Sequence, residues 1–153
     1  MTAVVDASSA LLLAGRSSIP RDDLRRALEH LQERYTLAAP DMAAWEVGQF
    51  VYAKHPRLFG SNAAERAEVM ESILAGIHLE APAPGSLHRT GALATARGLT
   101  FYDASYLELA DRDDVSVLIT EDRALRKAAA RTLGVGRAYD MASARKAIEA
   151  GEL

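Results

Sequence analysis

Four carboxylates stand alone in apolar stretches of this chain. Asp6 is the only charged residue between Met1 and Gly15. Glu46 is the only charge between Asp41 and Lys54, among Met42, Trp45, Val47, Phe50 and Val51, and Asp103 is the only one from Gly98 to Leu107. Asp122 follows the apolar run V-S-V-L-I-T (Val115 to Thr120) by two residues. A charged side chain is rarely buried unless it is paired or bound to a cation. One such acid is unremarkable; four of them ask for a common cause. Crowded carboxylates repel and their pKa values rise unless a multivalent cation compensates them. There is no cysteine, and the four histidines (His30, His55, His78, His88) show no ligand spacing. Hard oxygen donors alone suit Mg²⁺ or Mn²⁺, and an acidic site holding such ions hydrolyses phosphodiesters.

Each acid also has an ordinary structural reading. Asp6, Asp103 and Asp122 all fall where they can cap helix N-termini. Glu46 is the hardest to explain that way, because no cation lies near it in sequence. Ser8 and Thr120 can orient an acid or a water, or simply cap. The run from Arg123 to Arg137 carries Arg123, Arg126, Lys127, Arg131 and Arg137 and no acid. Next to Asp122, it is a candidate surface for an RNA backbone, with Arg123, Arg126 and Lys127 foremost. The acids Asp111, Asp113 and Asp114 are expected to cap and solvate the turn before Val115.

These residues need a scaffold that brings strand ends together. Val4-Val5 predicts a buried strand leading into a helix (Ala10 to Leu13), with Ser8 or Ser9 as its cap. Helices are predicted from Pro20 to about Arg34 (apolar at Leu24, Leu28 and Leu31), from Pro40-Asp41 to Lys54, and from about Asn62 to Ala75. Further helices are predicted over Leu87 to Arg97, closed by Gly98, over Asp103 to Asp111, over Asp122 to Leu133, and from Met141 onward. Tyr35 to Ala38, Ile77 to Leu79, Val115 to Thr120 and Val135 to Tyr139 complete a count of five strands. Short apolar strands alternating with helices predict a parallel sheet covered on both faces. Ligands in such folds bind beyond the carboxyl ends of the strands, where Asp6 and Asp122 fall.

The bulk properties agree. The chain has 153 residues, 49% hydrophobic and 25% charged, which suits one domain spanning 1–153. Its longest charge-free run, Ala7 to Gly15, is nine residues, far short of the roughly 20 a membrane helix needs. Asp6 inside the first apolar run argues against export, so a cytoplasmic location is expected. With 18 basic and 21 acidic residues the formal charge is −3, which excludes a general nucleic-acid coating protein but not a nuclease whose positive charge is metal. A dinucleotide or P-loop site would need a glycine-rich turn, and Asp6-Ala7-Ser8-Ser9 is not one.

The ordered blocks V-V-D-A-S-S-A (Val4 to Ala10), P-D-M-A-A-W-E-V (Pro40 to Val47), T-F-Y-D-A-S-Y-L-E-L-A (Thr100 to Ala110) and L-I-T-E-D-R-A-L (Leu118 to Leu125) resemble the PIN domain ribonucleases, in particular VapC-type toxins. The resemblance implies a five-stranded parallel sheet in the order 3-2-1-4-5. It also implies a Mg²⁺- or Mn²⁺-dependent endoribonuclease whose metal-binding acids fall on Asp6, Glu46, Asp103 and Asp122, with Ser8 and Thr120 at the family's hydroxyl positions. A cognate antitoxin protein and a homodimer are the implied partners; Leu28, Leu31, Phe50 and Tyr52 offer apolar surface for contacts or core. Gln49 stands where the family often has an asparagine. The competing expectation is a catalytically weak PIN-like module that binds RNA or protein.

Overall fold

A computed structural model describes residues 1–12 and 21–153; Leu13, Pro20 and the side chains of Leu24 and Leu28 lie outside what is described. The chain forms β1 (Thr2–Val5), α1 (Ala7–Leu12), α2 (Arg21–Arg34), β2 (Thr36–Pro40) and α3 (Ala43–Gly48). After α3 the helix continues from Gln49 to Lys54 with wider turns, and α4 (Pro56–Phe59), α5 (Ala63–Leu74), β3 (His78–Glu80), α6 (Ser86–Arg97) and α7 (Phe101–Ala110) follow. The last elements are β4 (Val117–Ile119), α8 (Arg123–Thr132), β5 (Ala138–Tyr139) and α9 (Met141–Ala150).

The five strands are all parallel, as the alternation of short apolar strands and helices predicts, and lie in the order β3-β2-β1-β4-β5 that the family resemblance implies. β1 lies at the centre, with Val4 paired to Ala38 on one side and to Leu118 on the other. Ala3, Val4 and Val5 are all but inaccessible. Successive strand residues face opposite sides of a sheet, so burial of all three requires cover on both faces. Helix α7 packs across β1, β2 and β4, while α2 and α9 pack on each other and on β2 and β5. One apolar cluster joins Val4, Leu31, Leu37, Val47, Leu107, Leu118, Leu125 and Met141.

Boundaries moved for local reasons. Pro40 ends β2 rather than starting a helix, and the amide of Asp41 reaches the Glu80 carbonyl at 2.9 Å. Pro56 both ends the long helix and opens the short α4, a first-turn position that suits its missing N–H. The strand at Val115 starts two residues late because Asp113 accepts the amides of Val115 and Ser116. Residues Val135–Arg137 form a tight helical turn instead of strand, leaving β5 two residues. Gly98 closes α6 at φ 66°, a left-handed position that glycine takes without a Cβ penalty.

Candidate active site

Asp6 follows β1 directly, and its amide donates to the carbonyl of Ile119 at 3.1 Å, extending the β1–β4 ladder. The residue is 5% exposed. It caps α1 by accepting the Ser9 amide at 2.8 Å, so the cap is Asp6 rather than Ser8 or Ser9. The Thr120 hydroxyl, at the end of β4, donates to Asp6 Oδ2 at 2.6 Å, and the Ser8 hydroxyl lies 2.8 and 2.9 Å from the two oxygens. Both hydroxyls therefore orient this acid. Each is itself held: Thr120 Oγ1 accepts the Asp122 amide at 3.0 Å and Ser8 Oγ accepts the Glu121 amide at 3.3 Å. Among the described residues every hydrogen-bond donor to Asp6 is neutral. Burial pushes its carboxyl above the usual range, and the bonds from Thr120, Ser9 and Ser8 only partly offset this.

Glu46 projects from α3 and takes the Tyr106 hydroxyl on Oε2 at 2.5 Å. Tyr106 is 2% exposed and lies in α7, three residues after Asp103 and so on the same helix face. Thr100 caps α7: its hydroxyl accepts the Asp103 amide at 3.0 Å and donates to Asp103 Oδ2 at 2.7 Å. Glu46 is pushed above its usual pKa first by burial and then by the negative charges of Asp103 and Asp6, against the Tyr106 bond and the attraction of Lys54. Its hydroxyl partner is pushed up in turn, by burial and by Glu46. Asp6, Glu46 and Asp103 thus share one electrostatic field although they come from three distant elements.

Asp122 stands differently. Its Oδ1 accepts the amides of Ala124 and Leu125 at 2.7 and 2.9 Å and caps α8 at an exposed position. Among the described residues no three of His, Asp and Glu stand close enough together to enclose a metal ion with their side chains as placed. The donor set nevertheless fits a hard divalent cation. It is all carboxylate oxygen, and the Asp103 and Asp6 charges that add to burial in raising Glu46 are what such an ion offsets.

Of the basic run, Arg123, Arg126 and Lys127 border an open groove of about 590 Å³ with Val135 and Ala138. Arg126 is engaged there with Asp140 at 2.7 Å and the Thr120 carbonyl at 3.3 Å. Arg137 leaves the face altogether: it donates to the carbonyls of Ser116, Ala110 and Asp113 at 2.7, 3.0 and 2.6 Å and fastens the turn before β4. Sequence reasoning did not find Tyr106, whose signal is its three-residue spacing from Asp103. Nor did it find Glu108, 2% exposed, which gathers Ser86, Arg89 and Arg112.

The PIN domain family model matches residues 3–131, and the chain belongs to this family. Its fold is of a nuclease type. The chain also resembles the crystal structure of PAE2754 from Pyrobaculum aerophilum, with a TM-score of 0.71 and 27% identity over 98% of this chain and 90% of that one. Among curated proteins none matches it.

Proposed function

We propose that the protein is a Mg²⁺- or Mn²⁺-dependent endoribonuclease, and that it serves as the toxin of a toxin–antitoxin pair. The observation that supports the activity is that Asp6, Glu46 and Asp103 lie within one another's reach, Asp6 disfavoured as an anion by burial and Glu46 by burial and then by the charges of Asp103 and Asp6. Asp6, Glu46 and Asp103 would hold the ion, with Asp122 at the rim. A bound ion of this kind supplies Lewis-acid activation of water and neutralises charge on the phosphate. Thr120 and Ser8 fix the Asp6 carboxylate, Tyr106 fixes that of Glu46, and Arg123 and Lys127 offer positive charge to the backbone of the strand being cut. The toxin role rests on the four sequence blocks, and with it come a cognate antitoxin, a homodimer and a cytoplasmic setting.

The specific observation favouring the other reading, a binding module without turnover, is that Asp122 spends an oxygen on the α8 cap. Incubating the purified protein with single-stranded and structured RNAs decides between them. Cleavage is expected with Mg²⁺ or Mn²⁺ and none in EDTA. Cutting that persists in EDTA overturns the metal dependence, and intact RNA under every condition favours the module. In a heterologous host, expression should arrest growth and Asp6→Asn should relieve the arrest.

A further inference from the structure

Beside Glu46 lies a pocket of about 350 Å³ that metal chemistry does not account for, within the roughly 300–1,000 Å³ range of small-ligand sites. Trp45 and Tyr102 line it, from α3 and from the start of α7, and they are 82% and 61% exposed. Holding two large aromatic rings in water from separate elements, at one pocket, forgoes their burial. Gln49, one turn after Trp45, adds an amide that can both donate and accept. Lys54 adds a cation, its Nζ 4.5 Å from the Phe50 ring centroid.

This set matches an unpaired nucleotide. Bases stack on exposed aromatic faces whatever their sequence, amides read base edges, and an ammonium meets phosphate. The core of a protein–protein interface is instead depleted of charge, and this pocket carries both Glu46 and Lys54. We propose that the pocket seats one unpaired base of the RNA against Trp45 and Tyr102, so that the enzyme cuts single-stranded RNA beside a stacked base. The proposal deepens the nuclease reading and rests on it.

Trp45 is the only tryptophan in the chain, so its fluorescence reports the pocket directly. The full-length protein, in EDTA to prevent cutting, is titrated with oligouridylate, oligoadenylate, an abasic ribose-phosphate strand of equal length, and the paired duplex. Quenching is expected with the two single strands and several-fold weaker binding with the abasic strand and duplex. Followed by anisotropy of a labelled strand, Trp45→Ala should weaken binding about tenfold, the effect of losing one stacked base, and Trp45→Phe should keep most of it. Because Trp45 is exposed, an unchanged melting temperature certifies the variants. With Mn²⁺, Trp45→Ala should raise KM more than it lowers kcat. Equal affinity for abasic and base-bearing strands, or a Trp45→Ala variant that binds normally, overturns the proposal while metal-dependent cleavage leaves the nuclease reading standing. Trp45 emission that responds to protein concentration and not to RNA overturns it in favour of a self-association surface. Absence of both cleavage and binding removes the two readings together.

Discussion

Thr120 carries no charge, yet the position of the Asp6 carboxylate depends on it. Replacing it with the isosteric valine removes the 2.6 Å donor to Asp6 and the acceptor of the Asp122 amide while keeping the volume inside the sheet. Residues that orient a ligand typically cost about 10–100-fold in metal affinity or activity when removed. Thr120→Val should fall in that range in a Mn²⁺-dependent cleavage assay, and Thr120→Ser should recover most of the loss. Asp6→Asn should lose more than either and yet melt no lower than the wild type in EDTA, since burial already disfavours the Asp6 anion. Lone acids in apolar company were a readable signal because an unpaired buried charge is costly. The same signal marked Asp122, which caps α8 through two amides, and Asp6 caps α1 as well, so composition around an acid does not separate capping from ion binding. The spacing of Tyr106 from Asp103 was too little to single it out, because a tyrosine among Ala104, Leu107 and Leu109 reads as ordinary core until Glu46 is seen beside it.

Elements α6, α7 and β3 are tied by one carboxylate. Glu108 accepts from Ser86 at 2.6 Å, Arg89 at 2.7 Å and Arg112 at 2.9 Å, and Arg112 also reaches Glu80 in β3 at 3.0 Å. Burial alone would raise the Glu108 pKa, but the bonds from Arg112, Ser86 and Arg89 more than reverse this and hold it below its ordinary 4.5. A carboxyl with a lowered folded-state pKa stabilises above its unfolded value and loses that contribution as pH falls through the folded one. The melting temperature should therefore drop as pH is taken below about 4.5, and drop less steeply in Glu108→Gln. At neutral pH, Glu108→Ala should cost about 1–3 kcal/mol, the range for leaving a buried polar partner such as Ser86 without its acceptor, measurable by urea unfolding, because Arg89 is half exposed and Arg112 keeps Glu80. None of this was legible beforehand: Ser86 and Arg89 lie 22 and 19 residues from Glu108, and only the packing of α6 on α7 unites them. Element types were legible from apolar periodicity. Their ends were not where a side chain took the backbone amides, as Asp113 does before β4.

Across the whole molecule, the chain is net negative and Asp6, buried at the carboxyl end of β1, takes only neutral donors among the described residues, so ion binding should stabilise the native state. A ligand at about 100 times its Kd adds roughly 2.7 kcal/mol, or on the order of 2–4 °C in Tm for each kcal/mol at this chain length. Thermal melts should rise with Mg²⁺ or Mn²⁺ and lose that rise in Asp6→Asn. The α/β class and the five strands followed from the alternation of short apolar runs with helical ones. The strand order did not; it came with the resemblance, because periodicity says which faces are buried and nothing of which strand lies beside which.

The Asp6 amide bonded to Ile119 has a consequence for kinetics. It places this hydrogen bond in the central ladder of the sheet, where exchange with solvent requires openings that approach global unfolding. The Asp6 N–H should rank among the slowest to exchange in deuterated water, with those of Val4 and Val5. Glu46 and Trp45, on a helix outside the sheet, are free of that restraint and should exchange sooner. Heating should then free the helix side first, while the carboxylate at the end of the central strand keeps its place until the sheet itself opens.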